Sequence, residues 1–450
     1  MIPQTPAESS LAVKALAPSM ERIELPALFA RSWPAQTPFT PKRQRALVDL
    51  SQRILRDVIL RNDPASVVLG YWLRRANIGR LAREFCDRVD RSPEVVHVPT
   101  GRVFHVAPAN VDTVFLYSWA VAYLCGNANI VRVTGQQSPV LARLLALVAE
   151  QMETDDELRA ANVFLTYAHD DKISGDISKW CTHRVLWGGD ETVSYFRSLP
   201  LSPHASERAF SSKYSYAVVS ASSYRTASDE TVASLAQGFF NDVFTFNQMG
   251  CSSPHLVIWI GSEPDFEAVV PRFNATLREE IARRNYRGAA SNATHRLRHA
   301  FDLACEAEVD FNPSEREFLA ITLREPARLR KRICGAGLFT HVRANGLAEV
   351  VALVEPHDQT ITHFGFSSEE LCEFARLAGN GGIDRLVPFG EALSFDVIWD
   401  GYDLIGDCLR HVLVRSTHPG AQKHSMRSQP GAHSTIPCGD SRATFVATIE

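Results

Sequence analysis

Cys251 has the clearest capacity for chemistry in this chain, because it lies in a turn-forming loop between two regular elements. The loop, Phe246–Pro254, reads Phe-Asn-Gln-Met-Gly-Cys-Ser-Ser-Pro. Apolar residues at helical spacing predict a helix before it, capped by Ser228, and a run of apolar residues predicts a buried strand at 255–260. A thiol held between two rigid elements can attack an electrophilic carbon, although most cysteines serve packing. We therefore treat Cys251 as the candidate nucleophile.

Other cysteines and two histidines offer alternatives. Two cysteines lie near element ends without an Asn-rich loop, and three fall in helical stretches where packing is expected; these are Cys125 and Cys181, then Cys86, Cys305 and Cys372. His105 or His255 could pair with Cys251 as a base, which would give a cofactor-independent cysteine acyltransferase or thioesterase. A single histidine on a strand is more often a core residue.

Composition excludes several classes of protein. The chain has 450 residues, 45% hydrophobic and 22% charged, so two or three lobes are expected. A net charge of −4 gives no reason to expect nucleic acid or an anionic membrane as a partner. No apolar run is long enough to span a membrane, and no secretory signal is recognisable. Nine scattered cysteines form neither a disulfide framework nor a metal-binding pattern, so a reduced, cytoplasmic protein is predicted.

The order of predicted elements divides the chain. Strands alternating with helices at short spacing predict α/β lobes, each built on a parallel sheet covered on both faces. Five segments are expected: a loosely ordered arm over 1–40, a helical entry with a first α/β domain over 41–213, a second α/β domain carrying Cys251 over 214–395, a segment at 396–416, and a disordered tail over 417–450.

Two loops stand where ligands bind in open α/β sheets, beyond the carboxyl ends of strands. The first is Pro108-Ala109-Asn110, whose Asn could donate to an oxyanion or, as spacing alone favours, cap the next helix. The second is Trp187-Gly188-Gly189, whose paired glycines would allow a ligand to approach the backbone or simply form a tight turn. No GxGxxG fingerprint accompanies it, which argues against an ordinary Rossmann site.

The order of four motifs resembles the aldehyde dehydrogenase superfamily and, within it, the LuxC-type acyl-CoA reductases of bacterial bioluminescence. Together the motifs span roughly residues 70–415; they are Tyr71–Asn77, Gly101–Asn110 with Gly126–Val133, Phe246–Pro254, and Gly382–Gly390 followed by Trp399–Tyr402. This resemblance implies an aldehyde dehydrogenase-like fold, with a cofactor-binding lobe over 41–213, a catalytic lobe over 214–395, a C-terminal segment returning to the first lobe, and an oligomerisation element.

The resemblance also implies roles for matching residues. Cys251 corresponds to the nucleophile that holds the acyl group as a thioester, and a lowered thiol pKa would help it. Asn110 corresponds to the oxyanion-hole side chain, joined by the Cys251 backbone N–H. Arg132 stands where a cofactor-contacting lysine is usual. The expected cofactor-binding residues are Pro108, Ala109, Arg132, Thr134, Trp187, Gly188 and Gly189.

Two departures from the superfamily pattern refine the expected reaction. Ala209 fills the position of the glutamate that activates water in oxidising members, and Glu207 would point elsewhere on a strand. Hydrolysis of a thioester should therefore be slow, which favours the reductive direction. Gly135 replaces an acid that often binds the adenosine ribose, and beside Arg132 this favours NADPH, with NADH as the alternative.

The resulting hypothesis is NAD(P)H-dependent reduction of an acyl thioester to an aldehyde through Cys251. The donor would be acyl-CoA or an acyl-carrier protein, fatty acyl by resemblance, and the resemblance also implies a homo-oligomer and an acyltransferase or ligase partner. The substitutions at Arg132, Gly135 and Ala209 leave a second alternative, a catalytically inert binding protein with this fold.

Overall fold

The computed structural model describes residues 12–33, 36–313, 316–325, 328–329, 331–379 and 381–415. The chain divides into two compact units: one runs to Phe210 and resumes at Asp403, and the other spans Ser211–Tyr402. The predicted boundaries at 213 and 396 therefore lie three and seven residues from the divisions at 210 and 403. The tail predicted at 417–450 lies outside the described residues. No helix in the described ranges is long and apolar enough to cross a membrane.

The first unit is built on a seven-stranded sheet in the order β2-β1-β6-β5-β4-β7-β8. Strands β4 to β8 are parallel, and β1 runs antiparallel to both its neighbours. A separate antiparallel ribbon joins β3 to β18. The strands are β1 Ala12–Ala17, β2 Arg22–Glu24, β3 Val95–Pro99, β4 Arg102–Val106, β5 Ala128–Arg132, β6 Asn162–Thr166, β7 His183–Trp187, β8 Ser206–Phe210 and β18 Leu409–Leu413.

Helix α6 of the first unit begins at a serine cap followed by a proline. Ser138 Oγ accepts the Leu141 N–H at 3.0 Å, and Pro139 is the first residue of the helix. The helices are α1 Leu25–Phe29, α2 Pro41–Arg56, α3 Pro64–Trp72, α4 Arg75–Arg91, α5 Val114–Leu124, α6 Pro139–Thr154, α7 Asp156–Ala161, α8 Asp171–Trp180, α9 Asp190–Ser198 and α16 Leu404–Asp407, with a 3-10 turn at Leu60–Asn62.

The N-terminal segment differs from the prediction of a loosely ordered arm. In its described part β1 extends the sheet by pairing with β6, and Val13, Ala15 and Leu28 are buried. Small alanine side chains give a weak strand signal, so the composition concealed a strand that pairs on both sides, with β2 and with β6.

The second unit contains another seven-stranded sheet, in the order β11-β12-β13-β10-β9-β14-β15. Its strands pair in parallel, except that β11 pairs antiparallel with β12. Its strands are β9 Tyr214–Ser220, β10 Pro254–Ile260, β11 Val309–Phe311, β12 Leu319–Leu323, β13 Leu338–Ala344, β14 Asp358–Phe364 and β15 Arg385–Pro388, followed by the two-residue strands β16 Ile398–Trp399 and β17 Tyr402–Asp403. The predicted α/β class with parallel sheets is therefore confirmed.

One helix of the second unit leads directly to the cysteine loop. This helix, α11, begins after Ser228, whose Oγ accepts the Thr231 N–H at 3.2 Å as predicted. It buries Phe239, Phe240 and Phe244 in an aromatic core. The helices are α10 Ala221–Thr226, α11 Asp229–Phe244, α12 Glu263–Arg283, α13 Ala290–Ala304, α14 Leu347–Ala352 and α15 Ser368–Leu377.

Candidate active site

Gln248 fixes the cysteine loop to the sheet. Its side chain is fully buried, and Nε2 donates to the carbonyls of Pro254 and Leu338, each at 2.8 Å. Its Oε1 accepts the Gly337 N–H at 2.9 Å. One amide thus joins the start of β10 to the start of β13, and a shorter or apolar side chain would leave buried polar groups unpaired.

Asn247 and Gly250 shape the turn around the cysteine. Asn247 and Gln248 adopt φ values of 51° and 60°, a region that Asn tolerates better than most residues. The Gly250 carbonyl accepts the Ser253 N–H at 3.0 Å, and a Cβ on Gly250 would lie 2.9 Å from Leu393 Cδ2. The residues before the cysteine in the Asn-Gln-x-Gly-Cys motif are therefore those that the backbone of this turn requires, and the turn places Cys251 at its tip.

Cys251 itself is exposed at the tip of this fixed loop. Ser215 Oγ donates to its carbonyl at 2.8 Å, and Gln359 Nε2 approaches its Sγ at 3.5 Å. Its backbone N–H donates to no acceptor in the described chain. A thiol with an adjacent, uncommitted N–H is the arrangement that acyl transfer to sulfur requires, because the N–H can stabilise the oxyanion.

The surroundings of Cys251 do not provide the lowered thiol pKa that would help a nucleophile. Protein atoms crowd the Cys251 sulfur and raise its thiol pKa by desolvation, and the nearby Asp400 carboxylate raises it further. Exposure of the residue decides whether a reagent can reach it, while crowding of the sulfur decides how well water solvates the thiolate. Both hold at once here, and the N–H donated by Gln359 opposes the rise only partly.

A cluster of polar residues lies behind the cysteine, and the sequence analysis missed it. Gln359 Nε2 also donates to Asp400 Oδ1, and Lys213 Nζ pairs with Asp384 Oδ2 at 3.1 Å. Arg385 stacks on Trp399, with the guanidinium carbon 4.6 Å from the ring centre.

These groups lie at, or just before, the first residues of four neighbouring strands, which follow one another in the sheet as β10, β9, β14 and β15. The exception is the turn between β16 and β17, which carries Asp400. The sequence predicted ligand sites only beyond the carboxyl ends of strands, whereas this cluster lies at their amino ends. A polar residue at the start of several strands was the available signal.

The histidine alternatives are not assembled. His105 is buried in the first unit, where it bonds Ser118 Oγ at 2.7 Å and Asn129 Oδ1 at 3.1 Å. His255 is buried in β10, and no histidine of the described second unit hydrogen-bonds the Cys251 sulfur. Among the other cysteines, Cys125 and Cys181 are buried and Cys86 is partly buried. The expectation that Cys305 and Cys372 pack internally is wrong, because both are exposed.

The predicted loops of the first unit meet at one edge of its sheet. The parallel strands stand in the order β6-β5-β4-β7-β8, so chain order reverses between β4 and β7. Residues 108–110 follow β4, and Gly188–Gly189 follow β7. Both loops therefore leave the carboxyl edge at the topological switch point, where dinucleotides bind in open α/β sheets.

Asn110 does not cap the helix that follows it. Helix α5 begins at Val114 with Thr113 as its N-cap, which rules out the capping role that spacing favoured. Asn110 is exposed, and its side-chain amide makes no hydrogen bond within the described residues. Pro108 is partly buried and Ala109 exposed beside it. The amide is thus free to donate to a ligand.

Trp187 contributes packing, and the two glycines contribute backbone. The Trp187 indole is buried, stacks on Phe210 at 3.8 Å between ring centres, and donates from Nε1 to Ser118 Oγ at 3.0 Å. Gly189 is the N-cap of α9, whose first turn carries Asp190 and Glu191. These carboxylates oppose a phosphate at this helix start, so a ligand here would be met by the glycine backbone alone.

Arg132 is a cation without a carboxylate partner among the described residues. It ends β5 at the same carboxyl edge, with its guanidinium carbon 4.7 Å from the Tyr167 ring centre and its buried Nε unpartnered. Thr134 Oγ1 accepts the Gln136 N–H at 3.3 Å in the following turn. An uncompensated guanidinium beside a switch point fits a phosphate-bearing dinucleotide.

A family model described as acyl-CoA reductase (LuxC) matches residues 80–410, well over half of the chain. The chain belongs to the LuxC acyl-CoA reductase family. No curated protein sequence matches it.

Solved structures similar to this acyl-CoA reductase family member are aldehyde dehydrogenases. They include a 1-pyrroline-5-carboxylate dehydrogenase from Thermus with bound NAD (TM-score 0.59, 14% identity, 86% of this chain and 84% of that one). An NAD-dependent benzaldehyde dehydrogenase from Corynebacterium glutamicum gives TM-score 0.58 at 14% identity, with 91% of both chains covered. Aldehyde dehydrogenase 21 from Physcomitrella patens, in complex with succinate, gives 0.58 at 12% identity over 86% of both. The aldehyde dehydrogenase fold is therefore shown, and the protein is an oxidoreductase acting on acyl groups or aldehydes.

The acid two residues before Ala209 is already engaged in ion pairs. Ala209 lies on β8, and Glu207 on the same strand receives two ion pairs, from Arg184 and from Arg197 at 3.1 Å. Arg208 pairs with Asp407 at 2.6 Å within the first unit. None of these side chains is a free carboxylate that could activate water.

Proposed function

We propose that this protein reduces an acyl thioester to an aldehyde with a nicotinamide cofactor, through a thioester formed on Cys251. The observation that carries the proposal is the exposed Cys251 thiol beside its own uncommitted N–H, on a loop whose neighbouring residues are fixed by hydrogen bonds. Such a loop positions a nucleophile and an oxyanion donor before substrate arrives, and prearrangement is where most of the catalytic benefit lies.

The first step exchanges one thioester for another. The Cys251 sulfur forms a bond to the acyl carbon, the bond from that carbon to the donor sulfur breaks, and the departing thiolate takes up the proton lost by Cys251. The Cys251 N–H and the free amide of Asn110 are the proposed donors to the oxyanion. Each such donor is worth about 3–4 kcal/mol in comparable enzymes.

When bound, a reduced nicotinamide would supply the hydride that converts the acyl carbon to the aldehyde level. The chain's own groups then stabilise the tetrahedral oxyanion on Cys251, and collapse returns the sulfur as leaving group with release of aldehyde. Glu207, the acid on the same strand as Ala209, is held in ion pairs with Arg184 and Arg197 and is not free to activate water, which supports reduction over hydrolysis of the thioester.

We propose NADPH as the cofactor, held at the switch-point edge by residues of the first unit. Arg132 offers an unpaired guanidinium for the 2′-phosphate, and Gly135 offers no carboxylate to repel it. The backbone of Pro108–Ala109, Thr134 and Gly188–Gly189 would complete the contacts, and Trp187 would support them from inside. The acyl donor is proposed to be a fatty acyl-CoA or acyl-carrier protein, supplied by a partner acyltransferase or ligase.

Turnover with purified protein tests the proposal. NADPH and a fatty acyl-CoA are mixed with protein, and cofactor absorbance and aldehyde are followed together. Cys251→Ala should abolish both signals, whereas Cys305→Ala, which removes another exposed thiol, should leave them unchanged. Persistent turnover by Cys251→Ala would eliminate the mechanism, and tight acyl-CoA binding without any turnover by the native protein would favour an inert binding role.

A further inference from the structure

The Gln359 side chain uses both its amide nitrogen and its amide oxygen in contacts with residues around Cys251. Its Nε2 donates to Asp400 Oδ1 and lies 3.5 Å from Cys251 Sγ, and its Oε1 accepts the Ser252 hydroxyl at 3.0 Å. Gln359 is fully buried near the start of β14. A buried amide with each group committed has one orientation only.

Asp400 sets that orientation. Its carboxylate, when ionised, accepts hydrogen bonds and cannot donate them, so the amide nitrogen must face it and the amide oxygen must face Ser252. The second hydrogen of Nε2 is then directed to the Cys251 sulfur. Exchanging the two ends of the amide would place Gln359 oxygen against a carboxylate and against a sulfur lone pair.

The turn that carries Asp400 is built for this placement. Asp400 is buried at a φ of 48°, an unusual backbone conformation for a residue other than glycine, and the following Gly401 has a φ of 73°. A Cβ on Gly401 would lie 2.8 Å from Asp384 Oδ1. Strained backbone in a buried polar cluster marks a place where position is enforced by the surroundings.

We propose that Gln359 is a positioning residue for Cys251, donating one N–H to the sulfur, and that Asp400 and Ser252 hold its amide in the orientation that makes this possible. The inference rests on the proposed function for the role of Cys251 and adds to it the device that fixes the nucleophile. The contact is made before any substrate is present, so it prepares the sulfur in the free enzyme.

Two opposing electrostatic effects on one sulfur give this arrangement a distinctive signature. The Gln359 N–H stabilises the thiolate, whereas the Asp400 carboxylate destabilises it. The charged groups involved are Asp400 and Arg385, which act on Cys251, and Lys213, Asp384 and Arg385, which act on Asp400. Removing the N–H should therefore raise the thiol pKa, while removing only the charge of Asp400 should lower it.

Alkylation of Cys251 by iodoacetamide across a pH series measures this directly. Gln359→Met keeps the volume and loses the N–H, so its midpoint should move up and its rate at pH 7.5 should fall about tenfold. Asp400→Asn keeps an oxygen acceptor for the Gln359 amide and loses the charge, so its midpoint should move down and its rate should rise severalfold. Gln151→Met, at a buried glutamine of the first unit that donates to Ala46 O, is the matched control and should change neither.

The directions in which the two variants shift the alkylation midpoint decide the outcome. Midpoints that move in the same direction in the two variants, or a midpoint unchanged in Gln359→Met, overturn the inference, since a merely structural role would alter both variants alike. Gln359→Asn withdraws the amide by one carbon and should raise the midpoint as Met does, should the Met variant fail to fold. The assay contains neither acyl donor nor cofactor. Opposite shifts in a protein that reduces no acyl-CoA would therefore sustain this inference while the proposed function falls.

Discussion

Each residue around the nucleophile has a separate physical task. Asn247 accepts a positive φ, Gln248 ties the loop to two strands, Gly250 leaves room for Leu393, and Cys251 carries the thiol. Only the last of these tasks is chemical. A motif of this kind is therefore read best as one reactive atom together with the backbone geometry that presents it.

Gln248 provides a test of the loop at this scale. Gln248→Leu removes three hydrogen bonds to buried backbone groups, and each group that is left unpaired costs about 1–3 kcal/mol. We expect a loss of several kcal/mol in the free energy of unfolding of the second unit, measured by denaturant titration. Gln151→Met, which removes one hydrogen bond, should cost less; equal losses would show that the three contacts are not coupled to the loop.

Arg132 provides a test of cofactor choice. Arg132→Gln removes a guanidinium that has no carboxylate partner among the described residues, so it should weaken a phosphate contact without leaving a buried acid unpaired. We expect kcat/KM for NADPH to fall about 10–100-fold while that for NADH changes little. An equal loss with both cofactors would place the phosphate contact elsewhere.

At the scale of elements, α11 holds the loop that follows β15 as well as the cysteine loop. Asp242 on α11 accepts the N–H of Gly390 at 2.7 Å and of Ala392 at 3.0 Å. One turn earlier, a Cβ on Gly238 would lie 2.8 Å from the Phe389 carbonyl carbon and oxygen. The backbone of the loop after β15 packs directly against α11 at Gly238, which explains why a glycine lies inside this helix.

Glycine replacement separates this close contact from ordinary helix propensity. Gly238→Ala should cost about 1–3 kcal/mol, because a methyl group would have to displace backbone. Gly175→Ala, inside α8 with no atom within 4 Å of the added Cβ, should instead stabilise the protein by about 0.5–1 kcal/mol. Thermal unfolding of the two variants should shift in opposite directions, and a shared direction would contradict the packing described.

The sequence predicted elements well where a local rule governs them. Ser228 caps its helix as expected, and the strand predicted at 255–260 is β10, Pro254–Ile260. It failed where the determinant is not local. Strand β1 is defined by pairing with β6, and the contact between Gln359 and Asp400 joins residues 41 positions apart. Trp399–Tyr402 entered the sequence analysis only as part of a motif, because no nearby residue revealed the partner of Asp400.

At the scale of the whole molecule, four buried histidines make the fold sensitive to acid. Burial lowers the pKa of His105 and His341 to about 3, and that of His183 and His255 to about 4. Their folded forms stay neutral while the unfolded chain takes up protons below about pH 6.5. Stability from these groups is therefore full above pH 6.5 and is lost as pH falls.

Two buried carboxyl groups change the stability with pH in the opposite direction, but they are fewer than the four histidines. Burial raises the pKa of Asp242 to about 7 and of Asp400 to about 6, so their contribution is present at low pH and is lost as pH rises through these values. Near pH 5 these six groups together bind about two more protons in the unfolded chain than in the folded protein, so their contribution to stability should fall by about 2–3 kcal/mol for each unit by which the pH drops. Unfolding temperatures that stay constant from pH 6.5 to 5 would contradict this.

The β3–β18 ribbon offers a test of self-association, which we propose for this protein. Val96 and Val412 stand opposite each other and are both about half exposed, and Leu413 and Val414 are exposed beside them. Apolar residues on a short ribbon with open edges favour pairing with a second copy. Light scattering should show a dimer or tetramer for the native protein and a smaller species for Val412→Glu. An unchanged mass would exclude this surface.

The most direct test of the account is the mass of the protein after exposure to acyl-CoA without cofactor. We expect one acyl group in thioester linkage, on the peptide that contains Cys251, and we expect NADPH to remove it with release of one aldehyde per adduct. Cys251→Ala should gain no mass. An acyl group on any other residue, or an adduct that NADPH leaves intact, would contradict the assignment of Cys251 as the carrier of the acyl group during reduction.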